Sequence, residues 1–235
     1  MEATDVKITE KLDGAFERLH QQDGGAVTGR LIAAREAVYA GVRLLKEKEE
    51  EAKHNHGDIA TLFASSEGQR VLLKNIQIGF ELTFLYEALI CMMGNYIEKW
   101  GALIHQKLGG SFRNKKLSVK KLSEFTENIG SYIQTQGLKV SFPHEGRELA
   151  EKLQKKFYSL HRTTITHEEE LSAFRGVVVG PQGSNYQWPG KFTITPDLLA
   201  EFMQEIDTYT NYVSWFIVNN KVSGGEGGIR TLDTV

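Results

Sequence analysis

Leu72-Leu-Lys-Asn-Ile-Gln-Ile-Gly-Phe-Glu-Leu-Thr-Phe-Leu-Tyr-Glu-Ala-Leu-Ile-Cys-Met-Met-Gly-Asn-Tyr-Ile97 reads as the body of one long helix. Leu72, Leu73, Ile76, Phe80, Phe84, Leu85, Leu89, Met92, Met93 and Ile97 recur three and four residues apart. That spacing lays side chains on successive turns of an α-helix. The apolar set is wider than one stripe, which predicts a central helix with neighbours on several sides. Ser65-Ser66-Glu67 carries a start signal and Gly109-Gly110 a stop, so helix is expected over about residues 69–107. A helix this long decides the fold class, because its neighbours must lie along it: an all-α helical bundle.

Towards the N-terminus the pattern weakens. Val6, Ile8, Leu12, Phe16 and Leu19 mark one face of a short helix that Asp23-Gly-Gly25 stops. From Thr28 onward Leu31, Ile32, Ala34, Val38, Val42 and Leu45 return at helical spacing. The charged run 46–53 reads as a solvated helix end, and His54-Asn-His-Gly57 as its terminator.

Towards the C-terminus, Ser118 is a cap for a helix over about residues 119–136, with Leu122, Phe125, Ile129 and Ile133 on one face. Pro143 opens another helix, whose apolar stripe is Leu149, Leu153, Phe157 and Leu160. Arg175-Gly-Val-Val-Val-Gly180 and Lys191-Phe-Thr-Ile-Thr195 read as two strands. The turn-rich stretch 181–190 is the loop of that hairpin; Tyr186 and Trp188 in it could stack on a nucleobase, and folding back onto the core is the favoured reading. Thr195-Pro196-Asp197 then starts a last amphipathic helix that ends near Asn220. The expectation is a bundle of about five main helices with a small β-hairpin inserted before the last one. Residues 1–68 are expected as an N-terminal helical extension, 69–222 as the main domain and 223–235 as a disordered glycine-rich tail. Gly228-Ile-Arg-Thr231 back-translates to the complement of a T-arm sequence typical of tRNA genes. The reading frame is therefore expected to end in an antisense tRNA gene, at the edge of a mobile element such as a prophage.

Bulk properties narrow the function. A hydrophobic share of 40% and a charged share of 25% are those of a soluble globular protein. The net charge of −2 carries no global nucleic-acid signature, so a nucleic-acid ligand needs a local basic patch. That patch exists in the loop Arg113, Lys115, Lys116, Lys120 and Lys121: five positive charges in nine residues, able to contact phosphates or to remain a solvated loop. The single cysteine, Cys91, excludes an internal disulfide and points to a cytoplasmic location. Glu81 and Glu87 interrupt the longest apolar run, so no membrane span is expected. His54 and His56 read as a solvated turn and not as metal ligands, since metal sites need three or four convergent groups.

Where the Pro143 helix runs out, Arg162 and His167 stand separated by four residues in Phe157-Tyr-Ser-Leu-His-Arg-Thr-Thr-Ile-Thr-His-Glu-Glu-Glu170. A guanidinium is a permanent cation suited to a phosphate, and an imidazole moves protons near neutral pH. The pattern resembles the Arg-x4-His signature of the HEPN superfamily, small helical domains that include metal-independent RNases of prokaryotic defence and toxin systems. The resemblance covers residues 69–220 and implies an endoribonuclease that needs no cofactor. Arg162 would stabilise the phosphorane-like transition state and His167 would act as base or acid. It also implies a homodimer that shares one cleft, and RNA as substrate. Thr163 follows the arginine where the family often has asparagine, aspartate or histidine; it is a supporting residue, able to bond a phosphate or orient His167. Glu87, on the long helix, is a second supporting residue, requiring a partner such as Arg162 or a backbone donor if buried. Arg162 paired with Glu168 or Glu169 on a surface turn is the plain structural alternative. The competing functional class is a non-catalytic helical binding or regulatory module of a mobile element. An antitoxin or regulatory partner belongs to either reading.

Overall fold

The structure, a computed structural model, describes residues 12, 14–23, 28–54, 65–108, 140–167, 176–180, 183–188 and 191–220. It is a mostly α-helical bundle with a small sheet before the last helix, as the sequence pattern predicts. The helices are α1 (Ala15–Asp23), α2 (Thr28–His54), α3 (Ser66–Leu108), α4 (His144–Leu153), α5 (Thr163–His167) and α6 (Pro196–Asn219). A π-helical segment, Gln154–Arg162, joins α4 to α5 without a break. The expected N-terminal face before residue 12, the helix over 119–136, the basic loop and the tail lie outside the described residues.

Helix α3 is the axis. Ser65 Oγ accepts from Gly68 N at 3.0 Å, so the start signal is a working cap. Its inner side carries Ile78, Leu82, Tyr86, Leu89, Ile90, Met93, Tyr96, Ile97 and Trp100, all buried. α2 runs antiparallel along it: Gly41 meets Leu89, Lys48 pairs with Glu81 at 2.8 Å, and Glu51 with Lys74 at 3.1 Å. α6 packs against both α3 and α2, and α1 closes the end, where Phe16 meets Trp100 with ring centroids 5.6 Å apart. Leu19, Leu31, Val38 and Leu45 sit in the same core as Phe202, Ile206 and Phe216, so the helices before residue 68 share the core of the rest. By length and composition Ser66–Trp100 is long and apolar enough to cross a membrane. About a third of its most apolar 18-residue stretch is buried inside the fold.

Four sequence expectations change. The charged end of α2 is not wholly solvated: Glu49 and Ala52 are buried. Not every apolar position of α3 meets a neighbour. Leu73, Ile76, Phe80 and Phe84 point outward and are exposed by 67%, 49%, 73% and 70%. The hairpin is a three-stranded antiparallel sheet, β1 (Gly176–Gly180), β2 (Gly183–Trp188) and β3 (Phe192–Ile194), in the order β1-β2-β3. The middle strand occupies the stretch read as a loop. Gly180 is registered with Gly183 and Trp188 with Phe192. Ser184, Tyr186 and Trp188 alternate inward along it, so Tyr186 and Trp188 do fold onto the core. The fourth change, in the stripe leading to Arg162, concerns the site itself.

The sheet is fastened to the helices by polar contacts. Thr83 Oγ1 of α3 accepts from Val177 N on β1 at 3.1 Å. The buried Glu49 Oε1 accepts from Ser184 N at 2.5 Å and from Ser184 Oγ at 3.1 Å. Tyr86 Oη donates to Ser184 O at 3.2 Å. Gly183 is required there twice over. Its φ is +131°, and a Cβ would come within 2.6 Å of Glu49 Oε1. Thr195 Oγ1 accepts from Leu198 N at 3.1 Å and caps α6, with Pro196 in its first turn.

Candidate functional site

The helix that delivers Arg162 changes its winding on the way. In an α-helix Leu160 would follow Leu153 and Phe157 on the inner face, and Arg162 would turn outward. From Gln154 the turn widens to the i→i−5 pattern: Thr163 N donates to Tyr158 O. His161 Nδ1 likewise bonds Lys156 O, five residues back, at 2.6 Å. Each residue of a wider turn rotates the chain less. The inner face then takes Phe157, Tyr158 and His161, exposed by only 0%, 1% and 4%, while Leu160 is left 44% exposed. Arg162 comes inward with them.

There it meets a seat on α3. A Cβ at Gly94 would lie 2.9 Å from Arg162 Nε and 3.0 Å from its Cγ. The absence of a side chain at position 94 lets the arginine lie flat against the helix backbone. Tyr158 Oη donates to Gly94 O at 3.2 Å, fixing the π segment to the same turn. Burial holds the Tyr158 phenol well above its ordinary range, so it stays a donor. Arg162 Nη2 is 3.8 Å from Glu98 Oε1, and the arginine side chain is 14% exposed. Its acidic neighbour is thus one turn along α3 from Gly94; Glu168 and Glu169 lie outside the described residues.

Of the other sequence candidates, Thr163 begins α5 and is exposed. His167 is the last residue of that helix, and its side chain lies outside the described residues. So do Arg113, Lys115, Lys116 and Lys120. Glu87 is half-buried and accepts from Tyr186 Oη at 2.8 Å. The sheet supplies this partner, which the sequence reading placed on Arg162 or a backbone group. Two described residues at the arginine escaped that reading. Gly94 carries no side chain to notice, and Glu98 sits in a charged stretch that looks like ordinary helix surface.

His161 directly precedes the arginine. It is buried between Phe192 and Phe202, with ring centroids 4.7 and 5.1 Å away. Burial lowers its pKa from the ordinary value, opposed by the bond to Lys156 O. The neutral ring with Nδ1–H donating to that carbonyl satisfies the site.

Two further polar places stand apart from the arginine. Between α2 and α6, Asp207 accepts from Arg35 Nε and Nη2 at 3.1 and 2.8 Å and from Tyr39 Oη at 2.5 Å. Burial, then the bond to Asp207, pushes the Tyr39 phenol up to about 12. A cavity of about 240 Å³ adjoins this clamp, lined among others by Tyr96, Thr210 and Asn211. A broader cleft of about 930 Å³ lies between the end of α2, β2 and the start of α6, with Lys46, Lys53, Asn185 and Asp197 on its walls. Among the described residues no group of three or more His, Cys, Asp or Glu side chains is arranged to hold a metal ion.

No protein-family model, no curated protein and no solved structure matches this chain.

Proposed function

We propose that this protein is a metal-independent endoribonuclease of a phage-defence or toxin-like system, with Arg162 and His167 as its working pair. The observation that carries the reading is the Arg-x4-His pair placed where a helix of changed winding gives out, with the arginine brought inward onto α3 by the π-helical turn. Functional sites are where such windings collect. The HEPN resemblance supports it through the order of elements: a long helix, a helix that delivers the motif, a small sheet and a closing helix.

The chemistry asks for a base to take the 2′-hydroxyl proton, a cation for the charge that builds on the phosphate, and an acid for the leaving 5′-oxygen. His167 supplies proton transfer and Arg162 the cation. RNA would displace Glu98 from Arg162, a contact at 3.8 Å that is loose for an ion pair and open to exchange. The basic residues Arg113, Lys115, Lys116 and Lys120 would hold the flanking phosphates. The expected arrangement is a homodimer, in the cytoplasm, with products ending in 2′,3′-cyclic phosphate and 5′-hydroxyl.

The test is cleavage of a tRNA pool and a structured mRNA in EDTA by wild type, Arg162→Ala and His167→Ala. Loss of cleavage in both folded variants, with cyclic phosphate ends from wild type, supports the reading. Equal cleavage by all three, or none by wild type, removes it.

A second reading is a non-catalytic helical binding module, a regulator that an antitoxin-like or other partner engages. The observation in its favour is that Arg162 is 14% exposed and already beside a carboxylate. In that case both variants keep full partner binding.

A further inference from the structure

We infer that the cleft between the end of α2, β2 and the start of α6 binds an organic cation through its N–H groups, an ammonium or a guanidinium, received by Glu49 and Asn185. The inference does not depend on the ribonuclease reading.

The cleft offers acceptors that the fold leaves without a donor. Glu49 lines it and is only 9% exposed. Its Oε1 takes both donors of Ser184, the amide at 2.5 Å and the hydroxyl at 3.1 Å. Among the described residues its Oε2 has no hydrogen bond and no ion pair. A carboxylate taken this far out of water calls for a counter-charge. Neither lysine on the walls supplies one. Lys53 Nζ is held by Glu50 at 2.6 Å, and Lys46 stands exposed, with no ion pair among the described residues. A second acceptor waits beside the first: Asn185 lines the same cleft, and its Oδ1 is buried without a partner. Asn185 directly follows Ser184 on β2, so the strand that holds Glu49 also places this oxygen.

The sign of the ligand follows from the rest of the lining. A helix start commonly takes an anion. At α6 that place is taken: Thr195 Oγ1 accepts from Leu198 N, Pro196 has no N–H, and Asp197 puts a carboxylate in the first turn. The carboxylates of Glu49, Glu50 and Asp197 outnumber the ammonium groups of Lys46 and Lys53 around the cleft. An anion would meet that negative excess. A metal ion would lack its ligand set, since among the described residues no three or more His, Cys, Asp or Glu side chains are arranged to hold one.

What fits is a cation that brings several donors of its own. An ammonium has three N–H groups and a guanidinium five, enough to serve Glu49 Oε2 and Asn185 Oδ1 together. A volume of about 930 Å³ has room for a chain-like amine, or for a basic side chain with its flanking peptide. Val178, 50% exposed, gives the methylene stem of either an apolar wall. Tetramethylammonium carries the same charge with no N–H, and would leave both oxygens unmatched.

Calorimetric titration of the full chain with spermidine, with a blocked Gly-Arg-Gly peptide and with tetramethylammonium tests the site. The expected result is one-to-one binding of at least one of the first two, with a dissociation constant below about 100 µM at about 0.15 M salt, and none of tetramethylammonium. Binding of spermidine alone assigns the site to a free polyamine, and binding of the peptide alone to an arginine of a protein partner. Glu49→Gln keeps an acceptor for Ser184 and puts an amide donor in place of Oε2, so it should weaken binding at least about 10-fold. Asn185→Asp adds a charge at the second acceptor and should tighten binding about 3–10-fold. It carries the test alone if circular dichroism shows Glu49→Gln unfolded. Failure of both spermidine and the peptide to bind at about 1 mM overturns the inference, since water then satisfies both oxygens. So does tetramethylammonium binding as tightly as spermidine, or a folded variant of either kind that binds like wild type.

Discussion

Arg162 lies across Gly94, so closely that a methyl group at position 94 would come within 2.9 Å of the guanidinium Nε. The contact is between a backbone and a long flexible side chain, and that determines how it fails. In Gly94→Ala the arginine swings away while the helix gains up to about 1 kcal/mol of propensity. The expected change in unfolding free energy is within about 1 kcal/mol, read by urea denaturation. RNA cleavage through Arg162 should nevertheless fall as far as in Arg162→Ala. A variant as active as wild type would separate the seat from the chemistry.

The widened turn from Gln154 to Arg162 makes a prediction that an α-helix does not. Leu160→Lys should cost no more than about 0.5 kcal/mol, since Leu160 faces water. Phe157→Ala, at 0% exposure, should cost about 3–5 kcal/mol. An α-helical winding would put both on the inner face and make Leu160→Lys the more damaging of the two.

His161 couples the same turn to pH. Burial favours its neutral form, so its folded pKa lies below the unfolded value of about 6.5. The unfolded chain then takes up the proton first on acidification. The stability this histidine contributes is present above about pH 6.5 and is lost as pH falls towards the folded value, with a slope of up to about 1.4 kcal/mol per pH unit. Denaturation midpoints at pH 7.5 and 5.5 should show the drop, and His161→Phe should flatten this part of the profile. A wild-type profile identical to that of His161→Phe would refute the coupling.

Gly183 is the tightest joint between the sheet and α2. Gly183→Ala forces a side chain into positive φ and against Glu49 Oε1, and should cost about 1–3 kcal/mol. Glu49→Ala should cost a similar amount, by leaving the Ser184 amide without its acceptor. The two costs should fall short of additivity in the double variant, because they act on one contact. Strict additivity in thermal or urea unfolding would count against the joint.

The helices were legible because each carries a long run at helical spacing and most carry end signals; Thr195-Pro196 is a cap in the structure as it is in the sequence. β2 was hidden because glycine, serine and asparagine dominate Gly183-Ser-Asn185, although Ser184, Tyr186 and Trp188 keep the period of two that marks a half-buried strand. The winding change at Gln154 leaves no compositional trace, so Leu160 and not His161 looked like the inward residue. The outward stripe of α3 was legible as apolar but not as outward, since periodicity says which residues share a face and not what the face meets. The Arg35–Asp207 clamp joins positions 172 residues apart and has no local signature at all. At the arginine, the motif pair could be read from spacing, whereas its seat on Gly94 depends on the register of two helices.

The contact of Thr83 with Val177 bears on solubility. A three-stranded sheet has two rims, and an uncovered strand rim is a template on which other chains accumulate. On β1 the amide of Val177 is taken by a helix hydroxyl that also donates to Gly79 O at 2.8 Å, so α3 acts as a stopper for that rim. A valine at position 83 would keep the shape and remove the stopper. The protein it produced would fold and then, at high concentration, precipitate by strand-to-strand growth that the native chain resists.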